Sequence, residues 1–291
     1  MDLAAIPDVD GVEHRMVQVE ASDGALHVHL AEAGEGEPLL MLHGWPQHWY
    51  GWRRVVPQVN DRFRLLMPDL RGFGWTEAPG HGYDPRTFAS DAIALLDALG
   101  IERVKLVGHD WGGFTAFLLG LGNPGRIERM LVLNAPHPWV PRSPRVIASL
   151  WRTWYVAANA IPGLGARAVA NPSYLERLLG LGKRDVFGPD EARIYAERLA
   201  APERRRATSG LYRSYLRIAA RSFAGRFARE RLTVPARLVF GADDFAIPTA
   251  YLVGGERHGD DFEIELVPGC GHFIAEERPD LVADRVLGFL G

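Results

Sequence analysis

The stretch Val107-Gly108-His109-Asp110-Trp111-Gly112-Gly113 closes the strand-like run RVKLV (103–107) and opens the apolar, helix-like run FTAFLLGL (114–121). A strand that turns sharply into a helix needs small residues around the turn. Gly108 and Gly112 bracket Asp110 at the spacing that lets the chain fold back and expose one side chain at its apex. The commoner form of this turn, GxSxG, carries a serine there; here the frame is kept and the attacking group is a carboxylate. That change decides the chemistry. A carboxylate attacks esters and amides poorly, because the adduct expels carboxylate before alkoxide. It can displace a leaving group in line from an sp3 carbon, giving an alkyl ester on the protein that water then cleaves at its carbonyl. Epoxides and alkyl halides suit such a group. The competing view, that Asp110 only caps the following helix, leaves the glycine frame and the partners below without a purpose.

Those partners fall where an open sheet would need them. Phe240-Gly241-Ala242-Asp243-Asp244 follows the strand-like RLVF, and Pro268-Gly269-Cys270-Gly271-His272-Phe273 follows FEIELV, so both groups sit beyond carboxyl ends of strands. The chain order Asp110, Asp244, His272 is that of nucleophile, acid and base on such a sheet. His272 is expected to activate water, with Asp244 fixing its tautomer and stabilising the imidazolium; Asp243 is the rival acid. Leu42-His43-Gly44-Trp45-Pro46 closes PLLML. Its turn would aim the main-chain N–H of Trp45 at the elbow, forming an oxyanion hole with the N–H of Trp111. The side chains of His43 and Trp45 either touch substrate or pack beneath the site. Cys270, the single cysteine, is a rival nucleophile by its nearness to His272, but reads as a small residue in a tight GCGH turn. One cysteine excludes an internal disulfide and a multi-cysteine metal site; no metal and no cofactor is expected.

Outward from the elbow, strand and helix signals alternate, as in an α/β core with a mostly parallel sheet and helices on both faces. Strands are expected at 14–20, 26–32, 38–42, 63–68, 104–107, 129–133, 237–240 and 262–267, with helices at 85–99 and 279–290. Short unalternated runs such as KLVG and RMLVLN are those of strands buried on both faces. After NAPHP (134–138) the chain turns helix-like and arginine-rich until about Arg231. Residues 138–231 hold 18 basic and 7 acidic residues, +11 against a net charge of −3 for the whole chain. We expect this segment to be a helical cap inserted into a core of 1–137 and 232–291, its arginines on solvated faces paired to a more acidic core. With 47% hydrophobic residues, no long apolar run and no basic excess overall, neither nucleic acid nor a membrane is an expected partner, and the location is expected to be cytoplasmic. A homodimer is left open.

HGWP (43–46), PDLRGFGWT (68–76), GHDWGG (108–113), NAPHP (134–138), GADD (241–244) and GCGHF (269–273) together resemble the α/β-hydrolase superfamily, and within it the epoxide hydrolases, over nearly the whole chain. GHDWGG with HGxP carries most of that likeness. Trp45 departs from it, standing where relatives often have phenylalanine. The resemblance implies hydrolysis of a small apolar epoxide to a vicinal diol, with water as co-substrate. It implies Asp244 as the acid, three residues after Gly241, and two cap tyrosines that protonate the epoxide oxygen. Tyr155, seven residues before Pro162-Gly163, and Tyr212, in a late Tyr-Arg pair, resemble these; Tyr215 and Tyr174 are the rivals. Haloalkane dehalogenases, which share the aspartate and bind halide with tryptophan N–H groups, are the alternative, and Trp111 suits them too. Their usual asparagine in the HGNP turn is Trp45 here, and fluoroacetate dehalogenases favour arginine where this chain has Trp111. A non-catalytic binding protein on the same fold would have no use for nucleophile, acid and base together.

Overall fold

A computed structural model of the protein describes residues 6–161, 163–169, 171–180 and 186–291; Pro162, used above to locate Tyr155, lies outside them. The strands are β1 (Val12–Ala21), β2 (Gly24–Ala33), β3 (Glu37–Leu42), β4 (Phe63–Pro68), β5 (Val104–His109), β6 (Ile127–Leu133), β7 (Ala236–Gly241) and β8 (Phe262–Val267). They form one sheet in the order β1-β2-β4-β3-β5-β6-β7-β8. The β1–β2 and β2–β4 pairings are antiparallel and the rest parallel. β5 runs two residues past the expected Val107, because Gly108 and His109 still pair with Val132 and Leu133.

Successive side chains of a strand point to opposite faces, and here both faces are covered. Leu40, Leu42, Leu106, Val132 and Leu238 enter one apolar layer, while Leu39, Met41, Val107, Leu131 and Val239 enter the other. The helices are α1 (Val56–Val59), α2 (Pro85–Ala98), α3 (Trp111–Gly122), α4 (Pro144–Ser149), α5 (Trp154–Ala160), α6 (Leu164–Val169), α7 (Pro172–Leu179), α8 (Pro189–Leu199), α9 (Pro202–Phe223), α10 (Ile274–Glu277) and α11 (Pro279–Leu290). α2 and α3 cover the first layer through Phe88, Leu95 and Phe117; α1 and α11 cover the second through Val56, Val282 and Val286. α2 starts where Asp84 caps the amides of Arg86 and Thr87 ahead of Pro85, a strong local start signal.

All of α4 to α9 lies between β6 and β7, so the sheet is interrupted in sequence but not in space. α9 packs against α5, α6 and α8. Several arginines of this segment meet main-chain carbonyls of the sheet-bearing part rather than its carboxylates, which modifies the expected pairing. Arg198 donates to Gly74 O at 2.8 Å, Arg204 to Phe73 O at 3.2 Å and Arg152 to Asp244 O at 2.6 Å. A guanidinium has five donors in a fixed fork and can satisfy loop carbonyls that no strand reaches. Among the described residues no helix is long and apolar enough to cross a membrane.

Candidate active site

Asp110 sits at the end of β5 with φ 49°, a conformation that costs a non-glycine residue energy and turns its side chain out over the sheet edge. The turn depends on absent side chains. A Cβ on Gly112 would lie 2.1 Å from Leu42 O, and one on Gly44 would lie 2.5 Å from Asp110 Cβ. Although Asp110 precedes α3, its carboxylate makes no capping hydrogen bond to that helix. Instead the main-chain N–H of Trp45 donates to Oδ2 at 3.0 Å. Oδ1 lies 4.0 Å from His272 Nε2.

The loops after β6, β7 and β8 converge on the same edge. His272 Nδ1 is 2.8 Å from Asp244 Oδ2, whereas Asp243 is exposed to solvent. Asp244 is fully engaged: Oδ1 accepts from the N–H groups of Ala246 and Ile247 (2.7 and 2.9 Å), and Oδ2 also accepts from Asn134 Nδ2 at 2.8 Å. A buried carboxylate this well bonded stays ionised. Burial alone would raise its pKa, but the charge and hydrogen bond of His272 together with the Asn134 bond bring it below the ordinary value.

The same forces act oppositely on the other two groups. Burial pushes the Asp110 carboxyl up to about 6, held back by His272 and by the amides of Trp45 and Trp111. Burial pulls His272 down, but Asp244, then Asp110 and Glu277, outweigh it and leave the imidazole at about 9. His272 therefore stands between two carboxyl groups that favour its protonated form.

Two supporting residues carry no mark in a reading by motif. Asn134, itself at φ 42°, ties the acid to Gly271 O (3.1 Å) and accepts from Gly241 N (3.2 Å), joining the three loops. NAPHP is the signal that contained it. Glu277 accepts from the amides of Gly271 (2.6 Å) and Phe273 (3.1 Å), which flank His272.

A cavity opens above these groups, walled by Trp45, Trp111, Tyr155, Tyr212 and Phe245 together with Asp110 and His272. Tyr212 stands edge-on to Trp45, Trp111 and Tyr155, with ring centroids 5.2, 5.7 and 6.1 Å away. Tyr215 also lines the cavity, 5.5 Å from Trp111. Burial raises the pKa of all three phenols, so they are protonated donors at neutral pH. Tyr155 donates to Ala246 O at 3.3 Å. Tyr174 bonds Asn159 and does not line this cavity.

His43 is not brought to the cavity. Its Nδ1 bonds Gly44 O (3.0 Å) and its Nε2 accepts from Leu70 N (2.9 Å), so it supports the turn from beneath. Cys270 is fully buried in the apolar layer shared with Ile274 and Val282, and is absent from the cavity wall.

Comparison with known proteins agrees with this architecture. A family model described as alpha/beta hydrolase fold matches residues 37–279. A soluble epoxide hydrolase of Corynebacterium sp. (strain C12) is 31% identical over 282 residues, covering 93% of this chain and 96% of the relative. The solved structure of an epoxide hydrolase named CorEH, without ligand, superposes with a TM-score of 0.83 at 30% identity, over 96% of this chain and 98% of that one. The wild-type Cfl2 structure from Burkholderia cenocepacia gives 0.84 at 29% identity, with 98% of each chain covered. The chain belongs to the α/β-hydrolase fold family and, within it, to the epoxide hydrolases.

Proposed function

We infer that the protein hydrolyses epoxides to vicinal diols through a covalent ester on Asp110. The observation that carries this reading is a carboxylate at the strained apex, with one oxygen held by Trp45 N and the other free toward His272. The free Oδ1 attacks an epoxide carbon as the carbon–oxygen bond breaks. Oδ2 becomes the carbonyl oxygen of the ester, already held by the amide of Trp45, with the amide of Trp111 as the second proposed donor. Tyr155 and Tyr212 supply the proton that the departing alkoxide takes; a phenol is a far stronger acid than an alcohol even when burial raises its pKa.

Esterification removes the charge of Asp110, one of the influences that hold the His272 pKa high. The imidazolium then gives its proton more readily to the phenolate that ring opening left, and the neutral imidazole takes one from the water that adds to the ester carbonyl. Asp244 orients and stabilises the imidazolium throughout. Collapse of the adduct expels the second diol oxygen, which takes the proton held on His272, and the imidazole then takes the proton of the Asp110 carboxyl, restoring the carboxylate and the imidazolium. In this proposal residues 138–231 form the cap, supplying Tyr155 and Tyr212, over a core of 1–137 and 232–291. A cytoplasmic location belongs to the same proposal and is checked by cell fractionation.

The test is single turnover of styrene oxide in heavy-oxygen water, with bromobutane as the paired alkyl halide. Label is expected first in the Asp110 peptide, with diol formed and little bromide released. Label in the diol with Asp110 unlabelled would refute the covalent route, and bromide without diol would favour dehalogenation.

A further inference from the structure

We propose that the outer face of the helical segment seats the protein on the surface of an anionic phospholipid bilayer, through exposed tryptophans set beside exposed arginines. Ile147, Leu150, Trp151 and Trp154 follow one another at i, i+3, i+4 and i+7, the spacing of a single apolar stripe on a helical run. In a packed helix that stripe turns inward. Here α4, the 3-10 turn Leu150–Thr153 and α5 bury Val146 and Val156 instead, and leave Ile147, Trp151 and Trp154 62, 73 and 62% exposed. Leu216 of α9, also exposed, borders the same surface hollow as Leu150 and Trp154, so two neighbouring elements contribute to one patch.

The charge beside the patch is of one sign. No acidic residue occurs between Glu128 and Glu176, or between Glu203 and Glu230, and the second interval holds eight arginines. Arg213, Arg217 and Arg221 recur every fourth residue on α9 and are exposed, the first two flanking Leu216; Arg145 is exposed on α4. Among the described residues none of these four has a carboxylate within 4.0 Å, whereas Arg193 of α8 has Asp190 at 3.2 Å and Glu197 at 3.7 Å.

Both features fit one occupant. Tryptophan rests at the boundary between lipid tails and headgroups, where its ring is in apolar surroundings and its N–H stays wet, and an arginine stem lies along apolar surface with its guanidinium at the phosphates. A second copy of this face would instead set arginine against arginine. The net charge of −3 and the lack of a spanning helix among the described residues set aside a membrane for the chain as a whole, but a surface seat uses one face and crosses nothing. Such a seat is independent of the reaction that the catalytic groups perform.

The experiment is flotation of the full chain with vesicles of phosphatidylcholine alone and of phosphatidylcholine containing about a quarter phosphatidylglycerol, at about 0.1 M and about 0.5 M salt. The protein should float with the anionic vesicles at low salt, leave them at high salt, and stay behind when the vesicles are neutral. Near an anionic surface each arginine is worth about fivefold in partition, so Arg213→Gln combined with Arg217→Gln should bind about 25-fold more weakly. Ile147→Ser combined with Trp151→Ser should lose about tenfold or more. All four positions are exposed, and a urea midpoint equal to that of wild type shows that a variant is folded; should one unfold, the lipid and salt dependence of the wild-type protein still decides. No flotation of wild type with either vesicle, equal flotation with both, or folded variants that float as wild type does would overturn the proposal. So would a dimer in sedimentation equilibrium that Trp151→Ser dissociates while the protein ignores vesicles, since the face would then meet a second copy.

Discussion

Replacing Asp110 by asparagine should stabilise the protein while abolishing turnover. Asparagine tolerates the positive φ of 49° and keeps an oxygen for the Trp45 amide, so the perturbation is mainly the loss of one charge. The carboxyl stands near 6 in the folded protein against 3.8 as its ordinary value, raised chiefly by burial. A group whose folded pKa is raised binds its proton more tightly in the native state. Its ionisation therefore lowers stability as pH climbs from about 4 to about 6, and the loss persists above that. A difference of about two pH units corresponds to about 3 kcal/mol. The side chain is 15% exposed and the amide must itself be buried, so the net gain at neutral pH is set at about 1–3 kcal/mol.

His272, raised to about 9, contributes in the opposite sense: its stabilisation is complete below about 6.5 and lost toward 9. Near pH 7.5 the wild-type imidazole remains largely protonated; in the variant the missing Asp110 charge lowers its pKa and offsets part of the gain. Urea denaturation of wild type and Asp110→Asn at pH 5 and pH 7.5 measures the effect. The variant should be the more stable at pH 7.5, and its advantage should shrink by about 1 kcal/mol at pH 5. A variant that is less stable at pH 7.5, or an advantage independent of pH, would refute the claim that the apex carboxylate is held at an energetic cost.

His272→Gln should permit alkylation and block hydrolysis, so intact-protein mass spectrometry of the variant with saturating epoxide should show enzyme plus substrate; an unmodified variant under conditions that trap the wild-type adduct assigns His272 another role. Replacing both Tyr155 and Tyr212 by phenylalanine should slow alkylation by epoxide roughly 100-fold or more, with each single change costing less, as followed by stopped-flow tryptophan fluorescence. Near-normal alkylation in that double variant would move the proton-donor role to Tyr215, which lines the same cavity. Glu277→Ala frees the amides on either side of His272 and removes a charge that raises its pKa, so the pH profile of ester hydrolysis should shift to lower pH, with Glu277→Gln restoring position but not charge. An unshifted profile in the alanine variant would count against the electrostatic part of that role.

Patterning alone located the strands of the sheet, because strands buried on both faces need short unbroken apolar runs and because glycine is required where the chain doubles back. GHDWGG, HGWP and GCGH therefore announced the turns and the candidate reacting groups at them. Which of two adjacent aspartates faces the imidazole was decided by packing. Asp243 and Asp244 are alike in sequence, but only Asp244 meets Asn134, the amides of Ala246 and Ile247, and His272. His43 shows the converse: a histidine in a telling motif is taken up by Leu70 N and Gly44 O, partners that no spacing rule relates to it.

The helical segment was legible as a segment through its composition. Its tyrosines could be ranked only by resemblance, and the structure adds Tyr215 to the wall that Tyr155 and Tyr212 share while leaving Tyr174 outside. The sequence determined the fold, the proposed nucleophile and the order of its proposed partners, since backbone conformation and strand burial are local demands written in residue type. Only the tertiary structure decided the supporting contacts of Asn134 and Glu277 and the opposed pKa shifts of Asp110 and His272, because each arises from groups far apart in the chain that meet when water is excluded between them.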